Sequence, residues 1–92
     1  MNQAEINRAE LEEADLNKAN LNGAKLVASS LKGSKLDNAT LIDAEMKSVD
    51  LTDSTIQNSD LSGANLVKSI FFNSNLAGSN LGQANFSRAS IS

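Results

Sequence analysis

The chain has 92 residues and a net charge of −3, from 11 acidic and 8 basic side chains. At this length we expect one domain, residues 1–92. Because the overall charge is weakly acidic, we expect no direct binding of nucleic acid. The chain contains no Cys and no His, which excludes disulfides, thiolate metal sites and the commonest general base. We expect no cofactor and no metal.

The N-terminal residues argue against export and membrane insertion. The first twenty residues include five acidic side chains and no continuous apolar run: Glu5, Glu10, Glu12, Glu13 and Asp15. A signal peptide needs a basic start followed by an apolar segment, and a transmembrane helix needs about 20 apolar residues. We therefore expect a cytoplasmic protein without membrane association.

A large apolar residue recurs at every fifth position from Ile6 to Ile91, without a slip in register. Two residues before each of them stands Ala or Ser, with Val49 as the single larger residue. We call the large residues rungs and predict that they form the core: Ile6, Leu11, Leu16, Leu21, Leu26, Leu31, Leu36, Leu41, Met46, Leu51, Ile56, Leu61, Leu66, Phe71, Leu76, Leu81, Phe86 and Ile91.

The five-residue period fits neither an α-helix nor a flat strand. On an α-helix a step of five rotates the next rung by roughly 140°, which scatters the rungs around the axis. On a strand the side chains alternate with period two, so a step of five reverses the face each time. A chain that turns a corner every five residues keeps all rungs pointing at one axis.

The repeats also resemble a known family. Segments such as 14–16 (ADL), 19–21 (ANL), 64–66 (ANL) and 84–86 (ANF) follow the A-(D/N)-L-x-x pattern of pentapeptide-repeat proteins. The resemblance covers essentially the whole chain. It implies an all-β fold, a right-handed quadrilateral parallel β-helix with four pentapeptides per coil. This pentapeptide-repeat solenoid would have about four and a half coils.

A twenty-residue coil sorts the rungs into four columns, and each column defines a face of the solenoid. The rungs at 6, 26, 46, 66 and 86 define the Ile6 face; those at 11, 31, 51, 71 and 91 the Leu11 face; those at 16, 36, 56 and 76 the Leu16 face; and those at 21, 41, 61 and 81 the Leu21 face. Glycines at 23, 33, 63 and 78 end their repeats, where a turn benefits from a permissive backbone. Seven serines at the small position would be buried hydroxyls that need hydrogen-bond partners: Ser29, Ser34, Ser54, Ser59, Ser69, Ser74 and Ser79.

The Ile6 face carries five of the basic residues against Glu5 and Glu45, a net of +3. This candidate partner-binding basic stripe consists of Arg8, Lys25, Lys47, Lys68 and Arg88. A basic stripe fits an acidic partner or phosphate groups. The alternative is a solvated surface with a chance asymmetry among few charges.

Ile70 and Phe72 form a candidate apolar contact. Both occupy outward positions on the Leu11 face, on either side of the inward rung Phe71. Two neighbouring exposed apolar side chains are typical of an interface. The alternative is a local irregularity that tucks them under a neighbouring segment.

The repeats run to both ends of the chain, which would leave strand edges and apolar rungs uncovered. We therefore expect either a homodimer through the C-terminal coil or a chain cut from a longer protein.

These observations favour a non-catalytic scaffold that binds another, unidentified protein. No residues form a catalytic pattern, because no His is present to activate the many serines. The resemblance implies one alternative: some pentapeptide-repeat proteins mimic DNA, bind DNA gyrase and protect it from quinolones. A second alternative is a designed or truncated repeat array without a native partner.

Overall fold

The computed structural model describes residues 3–91, in which the chain turns every five residues. Parallel backbone bridges join residues twenty apart, such as Glu5 with Lys25 and Lys25 with Glu45. Regular strand is short in this part: β1 spans Ile70–Phe71, β2 spans Ser90–Ile91, and the two pair in parallel. Four columns of such bridges make a four-sided parallel β-helix, as the family resemblance implied. No helix within 3–91 is long and apolar enough to cross a bilayer.

Each corner of the solenoid is a hydrogen-bonded turn with a left-handed third residue. The N–H of the small residue donates to the carbonyl of the preceding rung, as from Ala24 to Leu21 at 3.0 Å. The residue before the small one, which we call the corner residue, has a positive φ, between 56° and 66° where it is not glycine. A positive φ at the third position alone is the signature of a type II turn. The predicted glycines occupy this position, with φ between 67° and 74°: Gly23, Gly33, Gly63 and Gly78.

Backbone hydrogen bonds join each coil to the next on every face. In the repeat around Leu26, the N–H of Lys25 donates to one neighbouring coil at 2.7 Å. The N–H groups of Leu26 and Ala28 donate to the coil on the other side at 2.7 and 2.9 Å. In the interior coils of the described chain, one N–H per repeat has no backbone acceptor, that of the residue after the rung. We call this residue the first turn residue.

Asp and Asn side chains accept the N–H of the first turn residue in most repeats. Where one of them precedes the rung, its Oδ1 accepts the N–H two residues later, as Asn20 does from Asn22 at 3.0 Å. Elsewhere the acceptor is an Asn or Asp one coil away, as Asn22 is for Ile42 at 2.8 Å. Short side chains of this kind suit turns because they bind nearby backbone groups. The recurring Asp or Asn before the rung is therefore a turn-capping residue.

The rungs fill the interior of the solenoid. All rungs from Leu21 to Phe71 have at most 1% of their surface exposed, and each contributes roughly 1.5–3 kcal/mol by burial. Rungs of the first and last described coils are half-buried, because a coil lies on only one side of them: Ile6, Leu11, Leu16, Leu76, Leu81 and Phe86. The side chain of Ile91 lies outside the described residues.

Inward serine hydroxyls mostly donate to carbonyl oxygens of rungs. Ser54 and Ser59 do so at 2.7 and 2.6 Å. The same bond is made by Ser29, Ser69, Ser74 and Ser79. The expectation of a partner for every buried serine is wrong at Ser34, whose hydroxyl is buried and unpartnered among the described residues.

Candidate functional site

Three side chains of each repeat point outward: the bridge residue before the rung, the first turn residue after it, and the corner residue. Because coils stack in register, each type forms a vertical ladder with a step of about 4.8 Å. Between residues 3 and 91 there is no ligand-sized cavity and no cluster of three potential metal ligands. The candidate functional features of this part of the chain are therefore groups of residues on the flat faces.

Lys25 of the predicted basic stripe lies between two acidic residues. It is a bridge residue, and the backbone pairs it with Glu5 on one side and Glu45 on the other. Its Nζ lies 3.6 Å from Oε1 of Glu5, and both side chains are largely exposed. An exposed pair of this kind contributes little to stability, but it reduces the positive potential at the centre of the stripe.

The other four basic residues of the stripe are exposed but do not form one ladder. Arg8, Lys68 and Arg88 are corner residues, whereas Lys47 is a first turn residue. Lys68 and Arg88 lie on adjacent coils, while three coil steps, roughly 14 Å, separate Arg8 from Lys68. The structure therefore brings Lys47, Lys68 and Arg88 together near one end of the Ile6 face and leaves Arg8 apart.

Phe72 is the most prominent apolar group on the described surface. As a first turn residue on the Leu11 face it is 51% exposed, whereas the preceding Phe71 is buried in the core. Ile70 is half-buried in β1, between Asp50 on one neighbouring coil and Ser90 on the other. The two predicted apolar contact residues therefore flank the same rung, with Phe72 projecting further into solvent.

Two aspartates of the adjacent coil accompany this apolar pair. The N–H of Asp53 donates to the carbonyl of Phe72 at 2.8 Å, and Oδ1 of Asp53 accepts a hydrogen bond from the Asn73 amide at 2.7 Å. Asp50 pairs directly with Ile70 in the backbone ladder. We call Asp50, Asp53, Ile70 and Phe72 the Phe72 patch.

The carboxylate of Asp50 is held in its ionised form. Burial by itself would raise the pKa of Asp50, but hydrogen bonds from the hydroxyl and N–H of Thr52 and the charge of Lys32 lower it more. The Nζ of Lys32 lies 3.6 Å from Oδ2 of Asp50. The net result is a pKa below the ordinary value, so Asp50 carries its charge at neutral pH.

Comparison with known proteins identifies close structural counterparts. Residues 4–81 match the family model described as a pentapeptide repeat region. The pentapeptide repeat protein Rfr23 from the cyanobacterium Cyanothece 51142 has a TM-score of 0.96 and 28% identity over 98% of this chain and 62% of its own. HetL, involved in heterocyst differentiation regulation in Nostoc sp. strain PCC 7120, has a TM-score of 0.80 and 30% identity over 98% of this chain and 46% of its own.

A plant protein shows the same likeness. A pentapeptide repeat protein from the Arabidopsis thaliana thylakoid lumen has a TM-score of 0.91 and 25% identity, over 96% of this chain and 61% of its own. The chain thus spans about half to two thirds of the length of these relatives. A search of curated protein sequences finds no match.

Proposed function

Since the chain belongs to the pentapeptide-repeat family, we propose that it is a non-catalytic scaffold whose flat faces bind another protein. Members of this family are generally non-enzymatic structural or interaction proteins. The observation that carries the proposal is Phe72, which is 51% exposed and, together with the half-buried Ile70, interrupts an otherwise polar wall, because exposed apolar groups rimmed by polar residues mark interaction sites. We also propose that the chain forms a right-handed β-helix of about four and a half coils and that it acts in the cytoplasm.

Rigidity of the walls supports the proposal. Outward side chains are tied to neighbouring coils, as Asn22 is to the backbone of Ile42 at 2.8 Å and Asn73 to Asp53 at 2.7 Å. Groups ordered before binding lose less conformational entropy when a partner arrives. A flat face of this kind therefore presents a pre-arranged set of side chains to a protein surface.

The relative HetL also favours this reading. It shares 30% identity with this chain and is involved in the regulation of heterocyst differentiation. A regulatory role of this kind is compatible with action through binding. We extend to this chain only that general mode, and the partner is an unidentified protein.

The alternative function is that of a DNA mimic that inhibits gyrase. The charge pattern supports this function less well than it supports the scaffold. Duplex DNA carries one negative charge per about 1.7 Å of its axis. The Leu11 face, the most acidic one, has a net charge of −4, with five acids against Lys32, and Phe72 interrupts it. A supercoiling assay with purified gyrase tests this alternative; inhibition at low micromolar protein would favour it over the scaffold.

The scaffold proposal is tested by affinity capture. The full chain is immobilised and exposed to a lysate of the source organism, captured proteins are identified by mass spectrometry, and the best candidate is purified for calorimetry. Two wall variants are compared, Lys68→Glu with Arg88→Glu on the Ile6 face, and Glu12→Lys with Glu13→Lys on the Leu11 face.

We expect a purified partner to bind the wild type and to lose affinity for one wall variant. Loss in the first variant would assign the contact to the basic stripe. If no purified candidate binds the wild type, the proposal is overturned and a repeat array without a native partner is favoured.

A further inference from the structure

We propose that the Phe72 patch docks a partner segment that presents an apolar side chain next to Lys or Arg. This inference rests on the proposed scaffold function and assigns the chemistry of the partner. Its elements are an exposed aromatic ring, a half-buried aliphatic neighbour and two carboxylates: Phe72, Ile70, Asp50 and Asp53.

Phe72 has no role in building the fold that a polar residue could not perform. The residue at the same position one coil away is Thr52, which forms its turn without an apolar side chain. The inward position beside Phe72 is filled by Phe71, whose ring packs against Phe86 at a centroid distance of 5.9 Å. The Phe72 ring therefore remains available to a partner, and exposed aromatic anchors supply much of the binding energy at protein interfaces.

The charges around the ring select a basic segment. Asp53 lies on the adjacent coil with its backbone bonded to Phe72, and its carboxylate meets only the neutral amide of Asn73 among the described residues. The charge of Asp50 is partly balanced by Lys32, whose Nζ lies 3.6 Å from Oδ2 of Asp50. Because the face as a whole is acidic, an approaching acidic segment is repelled and a basic one is attracted. A cation over the Phe72 ring adds a cation–π attraction.

The backbone that carries the patch is fixed on both sides. Ile70 belongs to β1, which pairs with β2, and its N–H donates to the carbonyl of Val49 at 2.9 Å. The carbonyl of Phe72 accepts the N–H of Asp53. The ring is thus attached to an ordered chain, so docking a partner costs little backbone entropy.

The test is a selection of random 12-residue peptides displayed on phage against the immobilised full chain, followed by affinity measurements on synthetic copies of the enriched peptides. We expect the enriched sequences to combine Trp, Phe or Leu with Lys or Arg. Their affinity should fall about tenfold in Phe72→Thr, which carries the residue that the fold already accepts at Thr52.

Two further variants separate the apolar and electrostatic parts. Asp53→Asn keeps an oxygen acceptor for Asn73 and removes the charge, so affinity should fall severalfold, and the difference from wild type should shrink at high salt. Val67→Thr is the matched control, since Val67 is the first turn residue of the neighbouring Ile6 face. Its affinity should equal that of the wild type, and thermal unfolding verifies that all variants are folded.

Enriched peptides that bind Phe72→Thr as tightly as wild type overturn this inference and leave the scaffold proposal standing. Enriched peptides without basic residues overturn the assigned chemistry in the same way. Absence of any enriched peptide also overturns it, whereas the scaffold proposal is judged by the purified natural partner and fails only if that partner does not bind.

Discussion

The carboxylate of Asp50 accepts two hydrogen bonds from Thr52, one from its N–H at 3.0 Å and one from its hydroxyl at 2.6 Å. Asp60 and Ser62 repeat the arrangement on the Leu21 face, where the Ser62 hydroxyl and N–H lower the pKa of Asp60. Both turns are therefore stabilised more by an ionised than by a protonated carboxylate, and this difference couples folding to pH.

Acid should destabilise the fold through these two aspartates. Because the pKa of Asp50 and that of Asp60 lie below the ordinary 3.8 in the folded chain, their contribution to stability is complete above that value. It is lost as pH falls through the lower folded pKa. The free energy of unfolding measured in urea should decline between pH 6 and pH 2.5. This decline should be smaller in the double variant Asp50→Asn with Asp60→Asn.

Thr52→Val provides the control for this prediction. It removes the hydroxyl donor and leaves the Asp50 carboxylate, so the pKa of Asp50 should rise towards its ordinary value. Carbon-13 spectroscopy of the carboxyl group measures the titration directly. A wild-type pKa of Asp50 at or above the ordinary value would contradict the hydrogen-bonding argument.

Removing a turn-capping residue should weaken the fold by a modest amount. In Asn65→Ala the N–H of Val67 loses its acceptor, at present 3.1 Å away, and we expect a loss of about 1 kcal/mol in the free energy of unfolding. Asn65→Asp retains the oxygen acceptor and should lose less. Lys25→Ala, at a bridge position occupied by a residue without a capping oxygen, is the control; an equal loss there in denaturant unfolding would refute a capping role.

The rungs should differ in energetic weight according to their coil. Leu51 is fully buried whereas Leu11, in the same column, is half-buried. We expect Leu51→Ala to cost roughly 2–5 kcal/mol in the free energy of unfolding and Leu11→Ala clearly less. Leu51→Asp should abolish the folded state, because it buries an unpaired charge. Circular dichroism and denaturant unfolding measure these effects; equal costs at both leucines would contradict the stacking order.

Corner residues should respond to glycine in opposite directions. Ala28 has a φ of 61°, a strained conformation for a residue with a Cβ, so Ala28→Gly should stabilise the fold by up to about 1 kcal/mol. Gly78 has a φ of 74° and lies against the Asn58 amide, so Gly78→Ala should destabilise it by roughly 1–2 kcal/mol. Thermal unfolding of both variants checks the signs, and a stabilised Gly78→Ala would be inconsistent with a left-handed corner.

The stacking of the chain was predictable because one physical constraint repeats without interruption. A rung every five residues can converge on one axis only if the chain turns at each repeat. The twenty-residue spacing of the bridge between Glu5 and Lys25 was implied by the resemblance to pentapeptide-repeat proteins. The capping role of Asn20 was not predicted, because it depends on which N–H the turn leaves without an acceptor. That knowledge requires the hydrogen-bonding scheme of the coil.

The surface was harder to predict than the core. The net charge of each face placed Lys25 and Arg8 in one stripe. A net charge does not show which position of the repeat a residue occupies or which residues lie beside it on the neighbouring coils. Lys25 is paired with Glu5, and Arg8 lies three coils from Lys68. Ile70 and Phe72 were recognisable because apolar residues at outward positions break the binary pattern, whereas their proximity to Asp53 follows from the coil geometry.

The structural roles of the five positions in each repeat also limit which positions can change during evolution. The rung and the small residue are committed to the interior, the bridge residue often caps a turn, and no corner residue is β-branched or aromatic. The first turn residue accepts the widest range of side chains, since Lys47, Val67 and Phe72 all occupy it, and it caps a turn only where it is Asn or Asp, as Asn22 does. Natural selection can therefore alter the recognition properties of a wall mainly at one residue in five, while the other four preserve a foldable chain.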